Sequence, residues 1–169
     1  MKKTLFTLII LLLFSCGKKQ EYSPEIEAKA GKIVDSIMAS NQQKANLDTK
    51  ESFLDKELTK NSPVQVLKYR FVEKEYSTYK DVALTYKNVS DKTISAIRFE
   101  WYGENSFGEP ADMGVSTGTG GGFTDDALKP GKTDSGQWDI LSRDGKKLIG
   151  ARAYEVVFED GTKWKLNNN

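Results

Sequence analysis

A single thiol, Cys16, is the most reactive nucleophile in this 169-residue chain, and no histidine stands anywhere to activate it. A thiolate attacks electrophiles on its own, so Cys16 can be alkylated or acylated, whereas a Ser-His or Cys-His catalytic pair cannot be assembled. The lack of histidine also removes the commonest neutral metal ligand. Among the carboxylates, Asp112, Asp125 and Asp126 flank a glycine run and could offer hard oxygen ligands to calcium, yet they lack the alternating acidic spacing of a calcium loop. Asp125 and Asp126 are adjacent and point differently in an extended chain, so they make no acid–base pair. Pro130-Gly131-Lys132-Thr133 ends like a phosphate-binding loop, but Asp126 occupies the place where that loop needs its first glycine. Gly118-Thr119-Gly120-Gly121-Gly122 reads as a flexible connection between strands. These residues predict no catalytic site, no metal site and no cofactor.

The setting of Cys16 is more specific than its reactivity. Met1-Lys2-Lys3 gives a positive start, residues 4–14 are mostly apolar, and Leu13-Phe14-Ser15-Cys16 closes the segment. A transmembrane helix needs roughly 20 apolar residues, and here Gly17-Lys18-Lys19-Gln20 follows at once. The layout resembles the bacterial lipoprotein signal peptide, whose lipobox ends at a cysteine that receives a diacylglyceryl group. An ordinary secretory leader and a retained anchor are the alternatives. The resemblance implies that residues 1–15 are removed and that acyl chains on Cys16 hold the protein in the cell envelope. At about 0.8 kcal/mol per buried methylene, one acyl chain binds a membrane marginally and two or three bind it lastingly. Gly17 with Lys18-Lys19 favours the outer membrane, facing the periplasm, with exposure at the cell surface as the alternative. A lipidated Cys16 leaves no cysteine for a disulfide, so packing alone must stabilise the fold. Without Lys2 and Lys3 the chain has 23 basic residues against 24 acidic ones, which is no footprint for nucleic acid.

Residues 16–62 read as a partly helical spacer. Ser23-Pro24 suits a helix N-cap followed by proline, with Glu25 and Glu27 at the positive helix end. Ile26, Ala30, Ile33 and Ile37 fall on one helical face. Phe53, Leu54 and Leu58 form a second helical patch, and polar residues 40–50 between them suit helix or loop, so one helix or two remain open. A partner-binding helix or short coiled coil is the alternative to a spacer.

Residues 63–169 change to a strand-like period. Segment 66–72 is rich in β-branched and aromatic residues, and 81–87 alternates with Val82, Leu84 and Tyr86 on one side. Segment 93–102 places Ile97, Phe99 and Trp101 on one face, and Ile94 is out of phase with them, which predicts a bulge near Ser95 or Ala96. A turn over 128–133 precedes a strand carrying Trp138 and Ile140. Asp144-Gly145 turns the chain again, 151–159 is a strand, and Asp160-Gly161 leads into 162–166. About seven short strands with regular turns predict an all-β, antiparallel immunoglobulin-like sandwich preceded by an α-helical tether.

Three of these turns carry a resemblance. Leu84-Thr85-Tyr86-Lys87-Asn88-Val89-Ser90-Asp91-Lys92-Thr93-Ile94 is similar to the "N-x-S/G-D-K-x-I" turn of small immunoglobulin-like domains of bacterial exported lipoproteins, the FxLYD-type domains and their relatives. Leu128 with Pro130-Gly131-Lys132-Thr133 resembles their "L-x-P-G-x-T" turn, and Phe158-Glu159-Asp160-Gly161-Thr162-Lys163-Trp164 their "Y/F-x-D-G-T-x-W" closing hairpin. Phe99-Glu100-Trp101-Tyr102-Gly103 stands at the place of their "F-x-L-Y-D" strand end. The resemblance implies a fold and an exported setting, and it brings no catalytic residues.

The aromatic residues divide between core and surface. Trp101 and Trp138 suit the core of a disulfide-free sandwich, while Trp164, Tyr154 and Tyr102 are the candidate ligand-contacting aromatics. The expected function is a lipid-anchored, non-catalytic module binding an envelope protein or other envelope component. A carbohydrate-binding accessory lipoprotein with an aromatic face is the alternative. The expected partners are therefore the membrane, an envelope protein and a glycan, and not nucleic acid.

Overall fold

Helix α1 runs unbroken over Pro24–Leu54 in the computed structural model, which describes residues 24–114 and 116–166. Cys16, its leader and the Ser23 cap lie outside the described residues. The polar stretch 40–50 continues the helix, so the spacer holds one long helix and not two, and Leu58 falls in the turn beyond its end. No residue of α1 is buried, which explains why its sequence carries so short an apolar stripe. A compact unit spans Gln42–Asn169, so the last turns of α1 group with the strands.

Seven strands follow: β1 (Val64–Lys74), β2 (Ser77–Asn88), β3 (Ile94–Glu104), β4 (Thr119–Thr124), β5 (Thr133–Ser142), β6 (Lys147–Phe158) and β7 (Lys163–Lys165). One sheet has the order β1-β2-β5 and the other β4-β3-β6-β7, with every pairing antiparallel. The result is a β-sandwich with an immunoglobulin-like strand order, as the strand pattern predicts. The bulge expected near Ser95 is present: Ile94 pairs with Phe158 and Ala96 with Val157, which leaves Ser95 unpaired. It brings Ile94 into the core with Ile97, Phe99 and Trp101, all buried beside Val82, Leu84 and Tyr86 of β2.

Strand β4 departs from expectation. The glycine run is the edge strand of the larger sheet and not a flexible connection, with Gly120 opposite Trp101 and Gly122 opposite Phe99. Its inward positions lie over the two core indoles, whose ring centroids are 5.7 Å apart. A Cβ added at Gly120 would fall on the Trp101 indole nitrogen, and one at Gly122 would lie 2.7 Å from Trp138 Cδ1. Gly136 on β5 admits the same ring, its Cβ position lying 2.8 Å from Trp138 Cζ2. These glycines are therefore small for packing, and the strand forms because β3 supplies its ladder. Trp138 Nε1 donates to the Phe123 carbonyl at 2.9 Å, joining β5 to β4 across the open side of the sandwich.

At the other end of β2, the fully buried Asn88 side chain explains two of the turn motifs. Its Nδ2 donates to the carbonyls of Lys92 and Leu128, each at 2.8 Å. Its Oδ1 accepts from the Ser90 amide at 2.9 Å and from the Ser90 hydroxyl at 2.7 Å. The Asn88 backbone bonds to Lys132 and Gly131, with Gly131 at φ +72° as that turn requires. Lys92 then reaches Asp160 at 2.7 Å and lies 5.4 Å from the Phe158 ring centre. The three motifs thus meet at one end of the sandwich.

Gly122→Ala should lower stability by about 1–3 kcal/mol, because Trp138 must leave its position. Gly31→Ala, at an open helical position, should raise helix stability by about 1 kcal/mol. Thermal unfolding followed by tryptophan fluorescence and far-ultraviolet dichroism checks both. An unchanged midpoint for Gly122→Ala would show that the indole shifts freely.

Candidate functional site

Because Ile97, Phe99 and Trp101 point inward, the alternate residues Ala96, Arg98, Glu100 and Tyr102 face the outside of the larger sheet. Half of that outer face is covered. The Phe53 ring lies over Tyr102 with centroids 5.9 Å apart, and Gly150 makes room, its Cβ position being 3.2 Å from Phe53 Cβ. Arg152 of β6 fastens this corner. Its Nε donates to Glu100 at 2.7 Å, its Nη1 donates to the Ser52 carbonyl at 2.6 Å, and its guanidinium sits 4.3 Å from the Phe53 ring centre. The last turn of α1 carries no cation of its own, so Arg152 supplies the charge that helix end favours. Lys50 adds an ion pair to Glu104 at 2.6 Å, which holds the ammonium above its ordinary pKa.

This corner corrects the placement of one candidate aromatic. Tyr102 points to the outer face as strand alternation requires, but it is only 2% exposed, and burial raises its phenol pKa. It offers no platform to a ligand. Trp164 sits opposite Val156, half-buried against the core. Tyr154 lies half-buried at a bulge in β6, where its carbonyl accepts the Leu166 amide at 2.9 Å. Trp101 is fully buried, and Trp138 packs half-buried against the core.

The uncovered half of the same face holds an aromatic that sequence reasoning missed. Phe123 pairs with Arg98 in register and is 66% exposed. A shallow cavity of about 280 Å³ lies there, lined by Phe123, Ala96, Arg98, Glu155, Val157 and Lys163 among others. Arg98 donates to Glu155 at 3.0 Å, and Lys165 reaches the same carboxylate at 3.3 Å. Lys165, with Arg98 and Lys163 behind it, holds the Glu155 carboxyl below its usual range. An exposed ring on a small apolar floor, ringed by fixed charges, can seat a protein side chain or the face of a small molecule. The signal for Phe123 was available: it is the first bulky residue after the glycines, one step out of phase with the inward positions. The calcium candidates do not converge. Asp112 caps the Gly114 amide at 2.9 Å and Asp126 bonds Thr124 at 3.3 Å, and no group of three or more acidic or cysteine side chains gathers among the described residues.

Replacing Arg152 with Met should cost about 2–3 kcal/mol, since Glu100 and the Ser52 carbonyl both lose a charged partner. Amide exchange in the last turn of α1 should accelerate most. Glu155, Asp139 held by Lys74, and Asp160 held by Lys92 all have carboxyl pKa values below the ordinary range. Such groups stabilise the fold above about pH 4 and lose that contribution as pH falls through their depressed values. The unfolding midpoint should therefore drop on acidification below about pH 4, and less so in about 0.5 M salt.

No protein-family profile matches the chain, and no curated protein does. Among solved structures, it is similar to a hypothetical protein from Peptoclostridium difficile 630, 11% identical over 62% of this chain and 87% of that one, with a TM-score of 0.50. It also matches a Northeast Structural Genomics Consortium target, 14% identical over 62% of this chain and 80% of that one, with a TM-score of 0.34. The first likeness is one of fold alone.

Proposed function

We propose that this chain is an exported, lipid-anchored, non-catalytic module that binds an envelope protein through the open half of its larger sheet. The observation that carries the reading is Phe123, exposed on a floor of Ala96 and Val157 and flanked by Arg98. Aromatic and arginine side chains dominate the energetics of protein contacts, and here both stand on a rigid sheet face. The anchor rests on Cys16, placed directly behind the apolar run and ahead of the helical segment. The chain's composition supports a binding role, because a lone cysteine committed to lipid and a complete lack of histidine leave no Ser-His or Cys-His pair. The setting this implies is the cell envelope, with Gly17 and Lys18-Lys19 favouring the outer membrane facing the periplasm and exposure at the cell surface as the alternative. The helical segment then acts as a spacer.

Two measurements test the reading. Cys16→Ser should move the protein from the membrane pellet to the soluble fraction, and a variant that stays with detergent-extractable membranes overturns the anchor. A photo-crosslinker at Thr124, beside Phe123, should capture a discrete partner on intact cells. Phe123→Ser with Arg98→Ala should abolish that capture, and capture that survives the pair of substitutions overturns the site.

A further inference from the structure

The outer face of the smaller sheet has a different chemistry. Strand register sets its side chains in rungs across β1, β2 and β5: Lys68–Thr85–Ser135, then Arg70–Ala83–Gln137. One rung further on, Lys87 stands between Gln65 and Thr133. At the opposite end the rung of Asp81 and Asp139 is closed by Lys74, which reaches the two carboxylates at 2.7 and 2.8 Å, while Gln137 donates to Asp81 at 2.7 Å. Lys74 thus offsets one of the two negative charges, and that rung keeps a net charge of −1 at the end of the face away from Lys68 and Lys87. Lys68, Arg70 and Lys87 make no ion pair among the described residues, whereas Lys50, Lys74, Lys80, Lys92, Arg98 and Arg152 all do. The floor between the cationic strand and β5 is low, because Ala83, Thr85 and Ser135 are small. It forms a groove of about 350 Å³, with the Thr85 and Ser135 hydroxyls 3.0 Å apart along it.

We propose that this groove binds a linear acidic polysaccharide, its carboxylate or phosphate groups on Lys68, Arg70 and Lys87 and its hydroxyls on Thr85, Ser135 and Gln137. Lys68 and Arg70 are two residues apart on one strand face, about 7 Å, so successive anionic groups of an extended chain can meet successive cations. A bed of hydroxyl and amide groups matches a ligand rich in hydroxyls. The groove's one aromatic lining residue, Tyr69, is 40% exposed and donates its hydroxyl to the Ile149 carbonyl at 3.1 Å, so a single ring borders the cations and not a row on which successive nucleic-acid bases stack. The inference deepens the envelope-binding reading by naming a second component, on the face opposite Phe123.

The test is binding of the full chain, at low salt, to polygalacturonate, to a phosphomannan, to neutral dextran and to double-stranded DNA. Polygalacturonate or phosphomannan should bind, and whichever binds identifies the acidic group. Dextran should not bind. Lys68→Glu with Arg70→Glu should weaken binding about tenfold or more, while Lys32→Glu with Lys44→Glu, the same charge change on α1, should leave it within about twofold. All four positions are exposed, so the fold should persist, and unchanged dichroism verifies it. The proposal is overturned by equal losses in the two double variants, by dextran binding as well as the acidic polymers, by tighter binding of DNA, or by no binding at all. Each of these outcomes leaves the membrane fractionation and the Thr124 crosslink untouched, so this inference and the Phe123 site fail separately.

Discussion

Two indole rings, in contact at 5.7 Å between centroids, link the two sheets of the sandwich. Trp101 comes from one sheet and Trp138 from the other, and Phe99 and Tyr86 extend the aromatic contact between the layers. Burying such rings contributes a few kcal/mol each, enough to matter in a domain with one cysteine in its whole chain. The rest of the architecture accommodates them. Side chains are absent at Gly120, Gly122 and Gly136 because the rings lie where a Cβ would be. The edge strand β4 is consequently thin, and it owes its place to the ladder with β3 and to the Trp138 hydrogen bond.

The ends of the sandwich are held by polar chemistry instead. Asn88 satisfies its whole amide inside the protein, and a buried amide with every bond made fixes geometry more sharply than an apolar contact. At the helix junction Arg152 does comparable work with a charge, binding a carboxylate, a helix carbonyl and an aromatic face at once. The corner it holds divides the outer face of the larger sheet into a covered half at Tyr102 and an open half at Phe123.

What the sequence made legible follows from where its signal lies. Alternation in 93–102 located Ile97, Phe99 and Trp101, and the phase error at Ile94 located the bulge at Ser95, because an inward-facing side chain leaves a readable pattern. The turn motifs were legible for a related reason, since Asn88, Gly131 and Asp160 each answer a local hydrogen-bonding need. Strand β4 was invisible because glycines carry no pattern, and their small size was dictated by rings distant in sequence. The continuity of α1 through 40–50 was hidden because that segment buries nothing. Tyr102 illustrates a third limit. Its direction was correctly implied by alternation, but its burial depends on Phe53, whose position no local pattern encodes. Phe123 took the exposed role instead, and the cationic groove of the smaller sheet emerged only once the register set Lys68 beside Thr85 and Arg70 beside Ala83.

Trp138 has one more consequence. The glycine run of β4 is flat and the strand carries no charged side chain of the kind that keeps sheets from adding strands from their neighbours, Phe123 being its one bulky residue. By taking the Phe123 carbonyl, the indole removes one of the hydrogen-bond acceptors along that edge. The residue that completes the interior therefore also guards the rim, and loss or oxidation of its ring would weaken the core and invite edge-to-edge association in the same event.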